Sequence, residues 1–175
     1  MLKSKNRTNP FIGFAGNIGS GKTTFTTCLS DRQQWEPFYE PVAENPYLND
    51  FYKDMTRWSF NLQIYFLHKR FRIHQEMSKI NRGKVQDRTI YEDKEIFAKN
   101  LYDMGNMTER DWENYCGLFS TMEPFLQKPD LIIYLKTSTE ILLSRIKKRN
   151  RDFEKSIDSE YLHKLNISYD KWIDN

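Results

Sequence analysis

Cysteine is scarce. Only Cys28 and Cys116 occur in 175 residues, far apart and without paired spacing. That argues against a disulfide framework and for a reduced, cytoplasmic protein whose two thiols are core residues. Charge of one sign is equally short: 27 basic against 24 acidic residues leave a net charge of +3, too little for a diffuse nucleic-acid surface. Long apolar runs are missing too. The strongest, Leu131 to Leu135, is far below the roughly 20 residues that cross a bilayer, and the basic start with Lys3, Lys5 and Arg7 lacks an apolar signal core. Neither nucleic acid nor membrane is an expected partner. His68, His74 and His163 show no metal-ligand spacing. Repeats, low-complexity tracts and linkers are absent, so 1–175 is expected to form one domain with residues 1–10 disordered.

Against those absences stands one dense motif. Gly16-Asn17-Ile18-Gly19-Ser20-Gly21-Lys22-Thr23-Thr24 fills the pattern G-x-x-x-x-G-K-[ST]. An apolar run over 11–15 precedes it as a strand, and 22–30 follows as a helix without proline. A strand, a glycine loop and a helix in that order make a phosphate cradle: backbone N–H groups and the positive end of the helix dipole face one anion. In such a loop Lys22 reaches the β- and γ-phosphates and the Thr23 hydroxyl ligates magnesium.

The remaining chain alternates strand and helix. A strand is expected over 38–42, with Pro41 at its end and Glu40 at its carboxyl edge, where ligands bind in open α/β sheets. A short helix over 47–55 leads into a long one over 57–80. Phe60, Ile64, Leu67 and Phe71 give that helix an apolar face, and Ser59, Gln63, Phe66 and Arg70 form a neighbouring stripe. A third strand over 84–87 ends in Asp87-Arg88-Thr89. Since the strand over 131–135 ends in Lys136, Asp87 is the better carboxylate for the magnesium side. Helices are expected over 92–103, with Asp93 and Phe97 on one face, over 109–126 with Thr108 as cap, over 139–149 with caps from Thr137, Ser138 or Thr139, and over 159–172. Arg145, Lys148 and Arg149 share one helical face and Arg151 follows it; they are either a solvated helix end or a lid closing on phosphoryl oxygens. The whole reads as an α/β fold, a doubly wound parallel sheet of four to five strands.

A phosphate loop alone says only nucleotide. D-x-x-G and N-K-x-D do not occur, which argues against a GTPase switch, and Arg88 stands where a motor ATPase would carry a second acid. Two strand-edge carboxylates, one for metal and one free to accept a proton, suit transfer to a hydroxyl. A small-molecule kinase is the economical reading.

Taken together, Gly16 to Thr24, Glu40-Pro41-Val42, the segment Trp58 to Gln63, Asp87-Arg88-Thr89 and the arginine run over 145–151 resemble the deoxynucleoside kinases, over about residues 10–172. The Asn45-Pro46-Tyr47 context and the Asp-Arg-Thr variant look most like the bacterial deoxyadenosine/deoxyguanosine branch. The resemblance implies transfer of the ATP γ-phosphoryl to a 5′-hydroxyl, with magnesium, in nucleotide salvage. Glu40 then matches the general base and Arg88 the arginine that holds it. Gln63 matches the glutamine bonded to the base edge, and Arg70 with Asp93 the pair completing base recognition, pointing to a purine deoxynucleoside or deoxycytidine. Val42, Leu62 and Phe97 join the acceptor side; Leu62 replaces a frequent aromatic, leaving stacking to Phe97. Tyr52 and Glu154 match residues gripping the sugar 3′-hydroxyl, and Arg145, Arg149 and Arg151 match the lid.

The same resemblance implies a homodimer, with the helices over 92–103 and 159–172 either pairing between copies or packing within one chain. Family members usually carry a fifth strand and a terminal helix whose loop holds the ATP adenine, and these find no counterpart in 1–175. Two other readings compete: a nucleoside-monophosphate kinase of thymidylate-kinase type, which needs further cations where 40–63 offers only Lys53 and Arg57, and a non-catalytic nucleotide-binding regulatory module.

Overall fold

The computed structural model describes residues 9–42 and 45–174; of the start expected to be disordered over 1–10, residues 1–8 lie outside the described residues, whereas the Asn9 amide donates to Asn81 at 2.8 Å. Four strands, β1 (Phe11–Ala15), β2 (Glu36–Phe38), β3 (Lys84–Asp87) and β4 (Leu131–Tyr134), form one parallel sheet in the order β2-β3-β1-β4. The chain leaving β1 crosses to the far edge, and the chain leaving β3 crosses over β1 to the other edge. The connections diverge above β1 and β3, and that divergence opens a crevice at their carboxyl ends. Both central strands are buried throughout, as parallel strands covered on two faces must be.

β2 is shorter and earlier than the expected 38–42. Pro37 sits inside it, which only an edge strand tolerates, and Glu40 lies two residues past its end. Helix α1 (Lys22–Gln33) packs against β1, β2 and β3. After the single turn α2 (Leu48–Phe51), α3 runs Met55–Met77, capped by Asp54, whose carboxylate accepts the Arg57 N–H. The expected apolar face of α3 is only partly right. Leu67 is buried, but Phe60, Ile64 and Phe71 are half-exposed, while Ser59, Gln63 and Arg70 of the other stripe are buried. Arg70 points inward to meet the carboxylates of Asp93 and Glu40, Gln63 turns into the crevice at the strand ends, and Ser59 bonds back to the Met55 carbonyl of its own helix.

The helix expected over 92–103 begins earlier and changes winding. A turn of α-helix, α4 (Ile90–Glu92), passes into a π-helical segment (Asp93–Ala98) and then α5 (Lys99–Asp103). Such π segments gather at functional sites because the extra residue per turn re-aims side chains. Helix α6 (Glu109–Met122) has the expected Thr108 cap, closed as a capping box with Asp111. Helix α7 (Thr139–Arg149) starts at Ser138, whose side chain makes no capping bond, contrary to expectation. Helix α8 (Ser159–Asp174) buries Tyr161, Leu162, Leu165 and Tyr169 and packs on the π segment, α5 and α7, so the two candidate pairing helices meet within the chain.

Candidate active site

A cleft of about 530 Å³ opens above the carboxyl ends of the strands, between the phosphate loop, α3, the π segment and the α7 end. Gly21 caps α1 with φ 103°, and Gly16 holds φ 149° with so little room that a β-carbon would lie 2.7 Å from Ser20 Oγ. Only glycine meets both demands. Ile18, Gly19, Gly21, Lys22, Thr23 and Thr24 line the cleft; Gly16, Asn17 and Ser20 support it from behind. The Asn17 amide donates to the Leu162 carbonyl at 2.9 Å and to Asn166 at 2.7 Å, fastening the loop to α8.

The Lys22 ammonium donates to the Gly16 and Asn17 carbonyls at 2.8 and 2.9 Å, which folds it across its own loop. Burial, with Arg88 adding to it, lowers its pKa to about 8. Thr23 donates its hydroxyl to Asp87 Oδ2 at 2.5 Å, while Asp87 Oδ1 is buried and unpartnered. A hard cation wants such an orphaned carboxylate oxygen beside a hydroxyl, so the pair fits magnesium. No group of three or more acidic, histidine or cysteine side chains suited to a metal occurs among the described residues.

Opposite the loop, Glu40 Oε1 stands 3.1 Å from Arg88 Nε, an ion pair without hydrogen-bond alignment, and accepts Arg70 NH2 at 3.0 Å. Burial pushes the Glu40 carboxyl up, but Arg88, Arg70 and Lys22 outweigh it and hold it at about 2. It is a bare carboxylate at neutral pH. The Arg88 guanidinium covers the Phe97 ring at 4.1 Å.

Arg70, expected with Asp93 to complete base recognition, is fully buried and is not among the residues that line the cleft. It bonds Asp93 at 2.5 Å, Glu40 at 3.0 Å and the Arg88 carbonyl at 2.9 Å, so it spaces the two carboxylates from behind the wall. Gln63, Asp93, Phe97, Val42 and Leu62 do line the cleft, and Gln63 Oε1 is a buried acceptor without a partner. Burial pushes the Asp93 carboxyl up against the opposing pull of Arg70.

Arg145, Arg149, Arg151, Tyr52 and Glu154 line the same cleft, whereas Lys148 does not. Arg145 donates to the Ser20 carbonyl at 3.0 Å. The nearly buried Glu154 takes Arg149 through two bonds, at 2.9 and 2.6 Å, and Arg151 at 3.4 Å. Two of the three expected lid arginines are thus held by a carboxylate at the cleft wall.

Sequence reasoning missed several wall residues: Tyr39, Leu48, Phe51, Phe66, Phe153 and Tyr161. Phe66 carried a signal in its place on the stripe with Gln63 and Arg70; the apolar spacing of the others looks like any core. Glu92 escaped as well, although Thr89-Ile90-Tyr91-Glu92 spells a capping box that the structure closes.

Known proteins resemble this chain in sequence and in fold. A family model for deoxynucleoside kinase matches residues 12–175. Deoxyadenosine kinase of Dictyostelium discoideum is 44% identical over 172 residues, covering 98% of this chain and 70% of that protein. Deoxyadenosine/deoxycytidine kinase of Bacillus subtilis is 42% identical over 167 residues, covering 94% and 77%. The structure of deoxyadenosine kinase from M. mycoides with bound dATP superposes with a TM-score of 0.85 at 35% identity, covering 95% of this chain and 85% of that one. With the phosphate loop, the parallel sheet and the family model in agreement over nearly the whole length, the chain belongs to the deoxynucleoside kinase family.

Proposed function

We propose that this chain binds ATP on the Gly16–Thr24 loop, holds a purine deoxynucleoside or deoxycytidine against Gln63 and Phe97, and transfers the γ-phosphoryl to its 5′-hydroxyl. Phosphorylation of a deoxynucleoside by ATP is the activity that its family membership carries, and neither the monophosphate-kinase nor the non-catalytic reading is favoured. The observation that supports the residue assignments best is Glu40: a carboxylate held ionised by two arginines, on the same cleft as Lys22.

The chemistry follows from the charges. Glu40 accepts the 5′-hydroxyl proton as the new O–P bond forms and the bond from the γ-phosphorus to the bridging oxygen breaks to leave ADP, and Arg88 fixes the carboxylate in place. With a pKa near 2 the base is unprotonated at every physiological pH, so it takes the proton only as the hydroxyl oxygen loses electron density to phosphorus. Lys22, Arg145, Arg149 and Arg151 face the charge on the transferred group. Magnesium bound by Thr23 and Asp87 would neutralise the β,γ-phosphates. Tyr52 and Glu154 grip the sugar 3′-hydroxyl; an ionised carboxylate has about four acceptor positions, so Glu154 keeps room for one beside its arginines.

The same reading takes 1–175 as one catalytic domain, working as a homodimer in the cytoplasm. No helix among the described residues is long and apolar enough to cross a membrane.

A coupled assay with ATP and magnesium over all natural deoxynucleosides, with thymidylate and the other monophosphates in parallel, tests the reaction. Glu40→Gln should lower kcat by about 10²–10⁴-fold with ATP binding retained. Unchanged turnover would remove Glu40 from the mechanism, and preference for a monophosphate would restore the rival enzyme.

A further inference from the structure

Glu92 is fully buried, and the donors bonded to it are neutral. Its Oε2 accepts the Gly16 N–H at 3.2 Å and the Tyr169 hydroxyl at 2.7 Å. Its Oε1 accepts the Thr89 N–H at 2.8 Å and the Thr89 hydroxyl at 3.3 Å. One carboxylate therefore joins the first residue of the phosphate loop, the residue after Arg88, and α8.

Arg88 itself sits at φ 67°, in the left-handed region. A residue with a β-carbon is disfavoured there by about 1–2 kcal/mol and stays only where its neighbours over-determine it. Three bonds do so: the Arg88 N–H to the Phe14 carbonyl at 3.0 Å, Arg70 to the Arg88 carbonyl at 2.9 Å, and the next peptide N–H, that of Thr89, to Glu92. The strained turn aims the guanidinium over Phe97, beside Glu40, and 3.4 Å from the Gly16 carbonyl. Gly16 thus meets Glu92 through its N–H and Arg88 through its carbonyl.

We infer that Glu92 is a positioning residue for the transfer reaction: by clamping Gly16 and Thr89 together it fixes the Arg88 guanidinium relative to the phosphate loop. The inference rests on the phosphoryl transfer proposed above. A glutamine in its place offers one acceptor oxygen and brings an NH2 group against N–H donors, so one end of the clamp must open.

Glu92→Gln should lower kcat about 10- to 100-fold, the size of a misplacement near 1 Å, while KM for ATP and deoxynucleoside moves less than about 3-fold. In an Arg88→Lys background, where the fork is already gone, adding Glu92→Gln should cost less than about 3-fold more. Multiplicative losses in the double variant, or a loss confined to KM, would overturn the clamp. If Glu92→Gln does not fold, Tyr169→Phe removes one donor only, and its few-fold kcat loss must likewise vanish beside Arg88→Lys. A wild-type chain without turnover would instead overturn the reaction itself, and the clamp's role with it.

Discussion

The Thr89 methyl lies directly over Gly13: a β-carbon on Gly13 would stand 2.6 Å from Thr89 Cγ2. Gly13 is central in β1, paired with Gln86 of β3, and its lack of a side chain makes room for the third residue of the Asp-Arg-Thr motif.

Gly13→Ala therefore overpacks the strand against the residue that follows Arg88. Overpacking of this kind costs about 1–3 kcal/mol, read as a lower urea midpoint at constant m-value. Thr89→Ser deletes the clashing methyl while keeping the hydroxyl that bonds Glu92, so the double variant should recover most of the loss. A double variant no more stable than Gly13→Ala would mean that the clash is not the cause.

His74 on α3 sets a pH dependence of stability. Both ring nitrogens are buried without a partner, the ring meets Phe11 edge-on at 5.9 Å, and burial, helped by Arg70, lowers its pKa to about 4. The unfolded chain, with a histidine near pH 6.5, binds the proton more readily than the folded one, so stability rises with pH through this window. Falling from about pH 6.5 to 4 the protein should lose about 3 kcal/mol from this group, at 1.4 kcal/mol per pH unit. His74→Phe should flatten that part of the profile in urea titrations at pH 5 and 7.5; an unaltered slope would assign the acid sensitivity elsewhere.

Lys22 links nucleotide binding to protons. With its pKa lowered to about 8, part of the Lys22 population is neutral at pH 8, and phosphates drawn into the loop favour the charged form. ATP binding at pH 8 should then take up about half a proton, and affinity should fall as pH rises from 7 to 9. Calorimetry in Tris and HEPES measures the uptake directly. Lys22→Arg, charged throughout, should abolish it, and equal uptake in that variant would reject the assignment.

Much of this fold is legible in the sequence. The phosphate loop, β1, β3, α7 and the Thr108 cap are local: glycine's conformational freedom, runs of apolar residues and a side chain that reaches its own backbone act within a few positions. The second strand starts earlier than the expected 38–42 because Pro37 is admissible at a sheet edge, and strand order is a property of the whole sheet. On α3 the periodicity identified two stripes correctly but not which one faces inward.

The sequence by itself determined the nucleotide cradle, the strand-and-helix alternation and the supply of carboxylates and arginines, since each depends on residue type and short spacing. Only the tertiary structure decided that Arg70 lies behind the cleft wall, that Glu154 holds Arg149 and Arg151, and that Glu92 ties Gly16 to Thr89. Those partners lie between 3 and 76 positions apart or meet through a strained turn, and no local pattern encodes which charges burial will bring together.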